Sequence, residues 1–329
     1  MTSAELPIHA ERGAGLRKDA DWDLVEIPED FGPTRAVVDE DKRRAFAFAQ
    51  GDYGSWYFGD SPFGGPVGHP MLFANDLLFL FYENYDGNTA EGLHTHEQLT
   101  FHSPVRAGEH VSFSGRYIEK YVKRGQGYVV LLAEARGDDG RLITTHRGTE
   151  IMRTRVEEVA GQSRGSVPAR PVLATTEDTV PPVTRAALGL PERSGLVPLS
   201  RHFTQDQMNT YSWLAQGYRN VHTDHGRARD SGSERTIVQA LQQTGLLVDL
   251  LVDFFGETWF TTGELDLRYI NPAYCGETLT AHAAVLAPLE DGRLEIEVWI
   301  EKDGGVRTVL GWAKAAVGDS GERPVQLLH

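Results

Sequence analysis

The residues best suited to chemistry lie in one short loop, Gly217-Tyr218-Arg219-Asn220-Val221-His222-Thr223-Asp224. His222 is the side-chain type that takes and returns a proton near neutral pH. Asn220 can orient it or a water, or simply form a turn. Asp224 can orient His222 or meet a cation, or cap a following helix. Tyr218 supplies a hydroxyl or packs. Downstream, Ser233, Arg235, Gln239 and Ala240 flank the start of a long apolar segment, Glu234 to Phe255, and form the candidate substrate-binding set. Arg235 suits a phosphate or carboxylate, or is a solvated surface group. A backbone N–H near Ala240 suits an oxyanion. His222-Thr223-Asp224-His225 is too tightly spaced, and too far from other ligands in sequence, for a metal centre, so none is expected.

A segment as apolar as Glu234 to Phe255 must be wrapped by other elements. The rest of the chain supplies them. Of 329 residues, 40% are apolar, as in a globular protein, and the length suits about two domains. The formal net charge of -15 disfavours nucleic acid and anionic membranes as partners. A CoA or carrier-protein ligand is also anionic, and would need a local basic patch. The single cysteine, Cys275, leaves no intramolecular disulfide. It fits a reducing, cytoplasmic setting. The polar stretch Met1–Asp23 carries no signal-peptide core, and no apolar run is long enough to span a bilayer.

In chain order, residues 1–22 read as an arm. Asp39 to Gln50 reads as a short helix with acids in its first turn. A Gly/Pro-rich passage, 51–70, precedes the apolar run Pro70 to Tyr85, whose length favours a buried helix. From His94 to Arg155, alternating β-branched and aromatic residues broken by Gly turns predict an antiparallel meander. His94-Thr95-His96 would place both imidazoles on one polar strand face. Residues 157–193 read as an extended linker. Thr204-Gln205-Asp206-Gln207 is a capping box opening a second short helix. After the long apolar helix come strand-like runs at Trp259–Ile270, Thr278–Leu286, Leu294–Glu301 and Val306–Ala316.

This is a repeat. Ala49-Gln50-Gly51 matches Ala215-Gln216-Gly217, and the segment from Phe101 to Glu109 matches Tyr269 to Glu277, at offsets of 166 and 168 residues. Each unit is a short helix, a loop, a buried helix and four or five antiparallel strands. The units are expected at 23–156 and 194–329. One sheet curled round each helix, shared by both units, would bury both helices and cover two edges. By offset His222 matches Trp56. His69, ahead of the first apolar run, is a candidate lining residue of the counterpart site.

The order of elements and the loop resemble the double hotdog arrangement of the MaoC-like (R)-specific enoyl-CoA hydratase and dehydratase family, an α+β fold. The resemblance covers roughly residues 24–155 and 195–318. That family's loop runs Gly-Asp-x-Asn-Pro-x-His. Here Asn220, His222 and the following Thr223-Asp224 fit it, as does the turn from Pro272 to Glu277 between strands. The Asp position falls near Gly217 or Tyr218, neither of them a carboxylate. The Pro is missing, the Asn-to-His gap is one residue short, and Ala240 stands where a Gly often opens the helix. The first unit keeps Gly51-Asp52 without a loop His, so neither unit carries an intact Asp/His pair, and one site, in the second unit, is expected. The resemblance implies an acyl thioester substrate on CoA or an acyl-carrier protein, with a bulky or branched acyl group. It implies no metal or redox cofactor; phosphopantetheine would belong to the substrate. It also implies a homodimer. Water would be added or removed at the 2,3-position, with His222 moving the proton. The same fold leaves three alternatives open. One is a cyclase or other conjugate-addition catalyst. Another is a non-catalytic acyl-binding protein. The third is a thioesterase using Glu234 or Asp249.

Overall fold

The structure is a computed structural model describing residues 17–87, 89–90, 92–153, 181–213, 219–318 and 322–327. Residues 1–16 of the expected arm and much of the expected linker lie outside these residues, as does Tyr218. In the first half, β1 (Lys18–Asp19), β2 (Glu29–Val37), α1 (Glu40–Gln50), α2 (Ala74–Leu78) and β3 (Tyr85–Asp86) precede a meander. The meander is β4 (Leu93–Phe101), β5 (His110–Lys123), β6 (Gln126–Arg136) and β7 (Leu142–Met152). The second half runs β8 (Leu199–His202), α3 (Gln205–Trp213), α4 (His225–Asp230), α5 (Ala240–Phe255) and α6 (Trp259–Thr262). It ends with β9 (Glu264–Tyr269), β10 (Thr278–Pro288), β11 (Arg293–Lys302) and β12 (Val306–Ala316).

Ten of these strands form one antiparallel sheet in the order β2-β5-β6-β7-β4-β9-β12-β11-β10-β8. The order is palindromic in the repeat: β4 and β9 meet at the centre, and β2 and β8 lie at the edges. The central seam pairs Glu97 with Leu267 and Leu99 with Leu265. Alternation within strands does the wrapping: on β11, Leu294, Ile296, Val298 and Ile300 all point inward and are fully buried. α5 packs on β8, β10, β11 and β12, and α2 on β5, β6 and β7. Each buried Leu, Val or Phe of α5 stabilises the fold by about 1.5–3 kcal/mol.

Local signals fix the short helices. Asp39 caps α1 by accepting from the Lys42 N–H at 2.7 Å, and Gly51, in the left-handed region at φ 69°, ends it. The capping box of α3 is reciprocal: Thr204 N–H donates to Gln207 Oε1 at 3.0 Å, and Gln207 N–H donates to Thr204 Oγ1 at 3.3 Å.

Three expectations need correction. The first apolar run is not one helix over 70–85; only Ala74–Leu78 is α-helical, and Phe79–Glu83 continues as 3-10 turns. Phe, Tyr, Asn and Asp crowd that run, and none is a strong helix former, whereas α5 is rich in Leu and Gln. Trp259–Thr262 is a helical turn, and the strand begins only at Glu264. His94 and His96 do not share a face, because a β-bulge between them resets the alternation. His94 turns inward to Glu97, and His96 pairs with Asp266 at 2.9 Å.

Candidate active site

The His222 loop is built by its neighbours in sequence. Asn220 Oδ1 accepts the N–H groups of His222 at 2.9 Å and Thr223 at 3.2 Å, so Asn220 shapes the turn that presents His222. Asp224 caps α4 by accepting from the Arg227 N–H at 2.9 Å, and it also holds Arg219 at 2.8 Å. The Arg227 N–H and then the Arg219 guanidinium pull the Asp224 pKa down. Gln205 on α3 ties the loop in place, donating to the His222 carbonyl at 2.9 Å.

The His222 ring has a defined tautomer. Its Nδ1 lies 2.7 Å from the Ile237 carbonyl, which can only accept, so Nδ1 carries the proton. Nε2 is left with its lone pair. Burial pushes the imidazole pKa down to about 4, against the hydrogen bond to Ile237, so the ring is neutral at neutral pH. Ile237 lies three residues before Ala240, the first residue of α5. The opening amides of a helix have no intrahelical acceptor, and Gln239 makes no side-chain cap with them.

The other candidates divide. Gln239 is buried; its Oε1 accepts from Asn75 Nδ2 at 3.0 Å and its amide meets Ser212 Oγ. Ser233 bonds the Arg235 carbonyl at 2.6 Å. Arg235 is exposed, pairs with Glu277 at 3.0 Å and lies over the Tyr274 ring at 5.0 Å. His222, Gln239 and Ala240 thus converge on the start of α5, whereas Ser233 and Arg235 bond groups nearer the surface.

The two halves superpose through their bonding. Val67 N–H donates to the Trp56 carbonyl at 2.9 Å, and Ile237 N–H donates to the Val221 carbonyl at 3.2 Å. The bridges Val67–Arg106 and Ile237–Tyr274 repeat the same geometry. His222 therefore corresponds to Tyr57, not Trp56, and Gln239 corresponds to His69.

The first half does hold an Asp/His pair, which loop spacing hid. His69 Nε2 lies 3.8 Å from Asp52 and 2.7 Å from Asp249 on α5, and all three are buried. Arg201 on β8 bonds the other Asp249 oxygen and reaches the Gln50 carbonyl at 2.6 Å. Gln326 donates to Asp52. Burial, and then repulsion from Asp249, pushes the Asp52 pKa up. The ligand atoms of Asp52, His69 and Asp249 lie within 4.8 Å of one another, close enough to hold a cation. The donor set does not suit one. His69 Nδ1 accepts from the Met71 N–H at 3.0 Å, so Nε2 carries the proton and donates to Asp249. Arg201 already supplies the positive charge. Asp249 is bonded by both His69 and Arg201, and Asp52 by Gln326, so the cluster reads as a weld between the halves. Asp52 and His69 lie 17 residues apart and their carboxylate partner comes from the other half; only the Gly51-Asp52 step and the polar residue inside α5 signalled it.

No protein-family model matches the sequence, and no curated protein does. Solved structures do. A MaoC-like dehydratase superposes with a TM-score of 0.67 at 15% identity, covering 90% of this chain and 100% of that one. A MaoC-like dehydratase from Phytophthora capsici gives 0.65 at 15% identity over 89% of this chain and 97% of its own. A conserved hypothetical protein from Mycobacterium tuberculosis, described as having a double hotdog fold, gives 0.63 at 15% identity over 90% and 97%. With its palindromic ten-stranded sheet and two wrapped helices, the chain has the double hotdog fold of the MaoC-like dehydratases.

Proposed function

We propose that the chain is a hydro-lyase that adds or removes water at the 2,3-position of an acyl thioester carried on CoA or a carrier protein. The observation that carries this reading is the His222 imidazole, locked as its Nδ1–H tautomer by the carbonyl of Ile237, three residues ahead of α5, which leaves the Nε2 lone pair to take a proton. In the dehydration direction Nε2 takes the α-proton. The electron pair moves into the thioester carbonyl, whose oxygen is held by the opening amides of α5. The pair then returns to form the 2,3-double bond. The β-hydroxyl leaves with the proton from the imidazolium, as water. Hydration reverses each step. One group serves as base and then acid, so no second carboxylate is needed at Tyr218.

Charge near the loop favours an anionic carrier. Arg227 and Arg229 are exposed on α4, directly after the His222 loop, on a chain whose net charge is -15; Arg219 and Arg235 are exposed too, paired with Asp224 and Glu277. The thioesterase alternative needs a free carboxylate at the central helix. Asp249 is buried with both oxygens engaged, and Glu234 is exposed ahead of α5. His222→Ala should lower turnover of a 2-enoyl thioester by about two orders of magnitude or more, read from loss of the conjugated-thioester absorbance. Unchanged turnover in that variant would remove His222 from the reaction.

A further inference from the structure

From Leu246 onward α5 is apolar except for Asp249 and Asp253, whereas its opening turns are polar. Gln239, Gln242, Gln243 and Thr244 are all buried there. Gln242 is spent on the weld, donating to the Ala49 carbonyl at 2.9 Å. The others face different company. Gln239 meets Asn75 and Ser212, and Thr244 Oγ1 lies 2.6 Å from the Tyr269 hydroxyl. The Tyr269 ring packs on His94 with centroids 4.9 Å apart. His94 and His146 both reach one oxygen of Glu97, at 2.9 and 3.0 Å, and Glu97 and His146 are fully buried. Tyr211 joins the group: its backbone carbonyl accepts from Asn75 at 3.3 Å, and burial, then the charges of Asp76 and Glu97, push its hydroxyl pKa well up. Gly148, opposite Glu97 on β7, leaves the space; a Cβ there would lie 2.8 Å from His146 Cε1.

This group is polar, buried and incompletely bonded. Among the described residues, Asn75 Oδ1, Gln243 Oε1, Glu97 Oε1, the Tyr211 hydroxyl and the Nδ1 atoms of His94 and His146 make no hydrogen bond. Unmade bonds in a core are costly, and native interiors avoid them. Three of the orphan atoms, on Asn75, Gln243 and Glu97, can only accept, so a ligand must bring donors. Burial opposes charge on Glu97, but His146 and His94 outweigh it and hold its pKa below the ordinary value. Burial likewise opposes charge on His94, and Glu97 outweighs it. A hydroxyl brings donors with no charge to desolvate, which favours a neutral donor over an ammonium beside two imidazoles.

We infer that the acyl chain taken by this protein bears hydroxyl groups distal to the thioester, received by Glu97, Gln243, Asn75 and Tyr211. The inference rests on the hydro-lyase reading for its thioester and extends it to the acyl class, away from a plain or branched alkyl chain. The test compares two 2-enoyl-CoA thioesters of equal chain length, one alkyl and one with hydroxyls near its far end. kcat/KM should favour the hydroxylated thioester by at least about a hundredfold, because a site built to bond a hydroxyl rejects the analogue lacking it. Glu97→Gln should collapse that ratio. Tyr211→Phe deletes only an unbonded hydroxyl, so its fold should hold while the ratio drops. Equal or better turnover of the alkyl thioester by the wild type would overturn the inference. If neither thioester turns over, calorimetric binding of both separates the two readings. Preference for the hydroxylated thioester would sustain the acyl class while the hydro-lyase reading fails, and equal binding would overturn the acyl class.

Discussion

At the scale of single residues, His222 is set apart by its tautomer rather than its type. An imidazole with an ordinary pKa of about 6.5 loses its base form as pH falls below that value. Burial has moved His222 to about 4. The neutral base is therefore present throughout the range from about 5 to 7. The acid limb of kcat/KM should fall only near pH 4, and a fall centred near 6.5 would mean that the titrating base is another group. His222 was readable from sequence because Asn220 and the apolar helix flank it within a few dozen residues. The Asp52–His69–Asp249 cluster was not, because its members meet only after the sheet closes. Nor was the match of His222 to Tyr57, since counting offsets misses a one-residue difference in loop length that the backbone bonds of Val67 and Ile237 expose.

At the scale of elements, α4 and the start of α5 divide the labour. α4 is only six residues long, yet it sets Arg227 and Arg229 beside the His222 loop in exposed positions. Their role under the proposed function is to meet the phosphates of CoA. Arg227→Glu with Arg229→Glu should raise KM for a CoA thioester about tenfold at low salt. It should leave the matching N-acetylcysteamine thioester, which lacks phosphates, unchanged. A parallel rise for both would place the effect in the loop itself. Helix periodicity and capping residues revealed α1, α3 and α5 because the local signals agree with the fold. They failed at Phe79–Glu83, where aromatic packing against β2 and β5 holds a tighter 3-10 form, and at His94–His96, where a bulge changes faces without a mark in composition.

At the scale of the whole molecule, the repeat makes one body from two halves. The antiparallel pairing of β4 with β9 joins the sheets, and the Arg201–Asp249–His69 network joins the helices behind them. Removing one partner of a buried ion pair leaves a charge unmatched and typically costs about 3–5 kcal/mol. Arg201→Met should therefore lower stability in urea by about that amount, with both halves still unfolding in one transition. A loss under about 1 kcal/mol would show that the network contributes little. The duplication and the fold were legible because matched Gly and Pro turns recur at nearly constant offset. The polar group at the opening of α5 was not, since Glu97, His146 and Gln243 are scattered over separate strands and a helix. The central claim is that His222, beside the opening amides of α5, moves water on and off an acyl thioester. Mass spectrometry of the purified protein with paired 2-enoyl and 3-hydroxyacyl thioesters tests it most directly. The account predicts gain or loss of one water by the wild type and none by His222→Ala. Bound but unaltered thioester across the panel, or equal conversion by the variant, would contradict it.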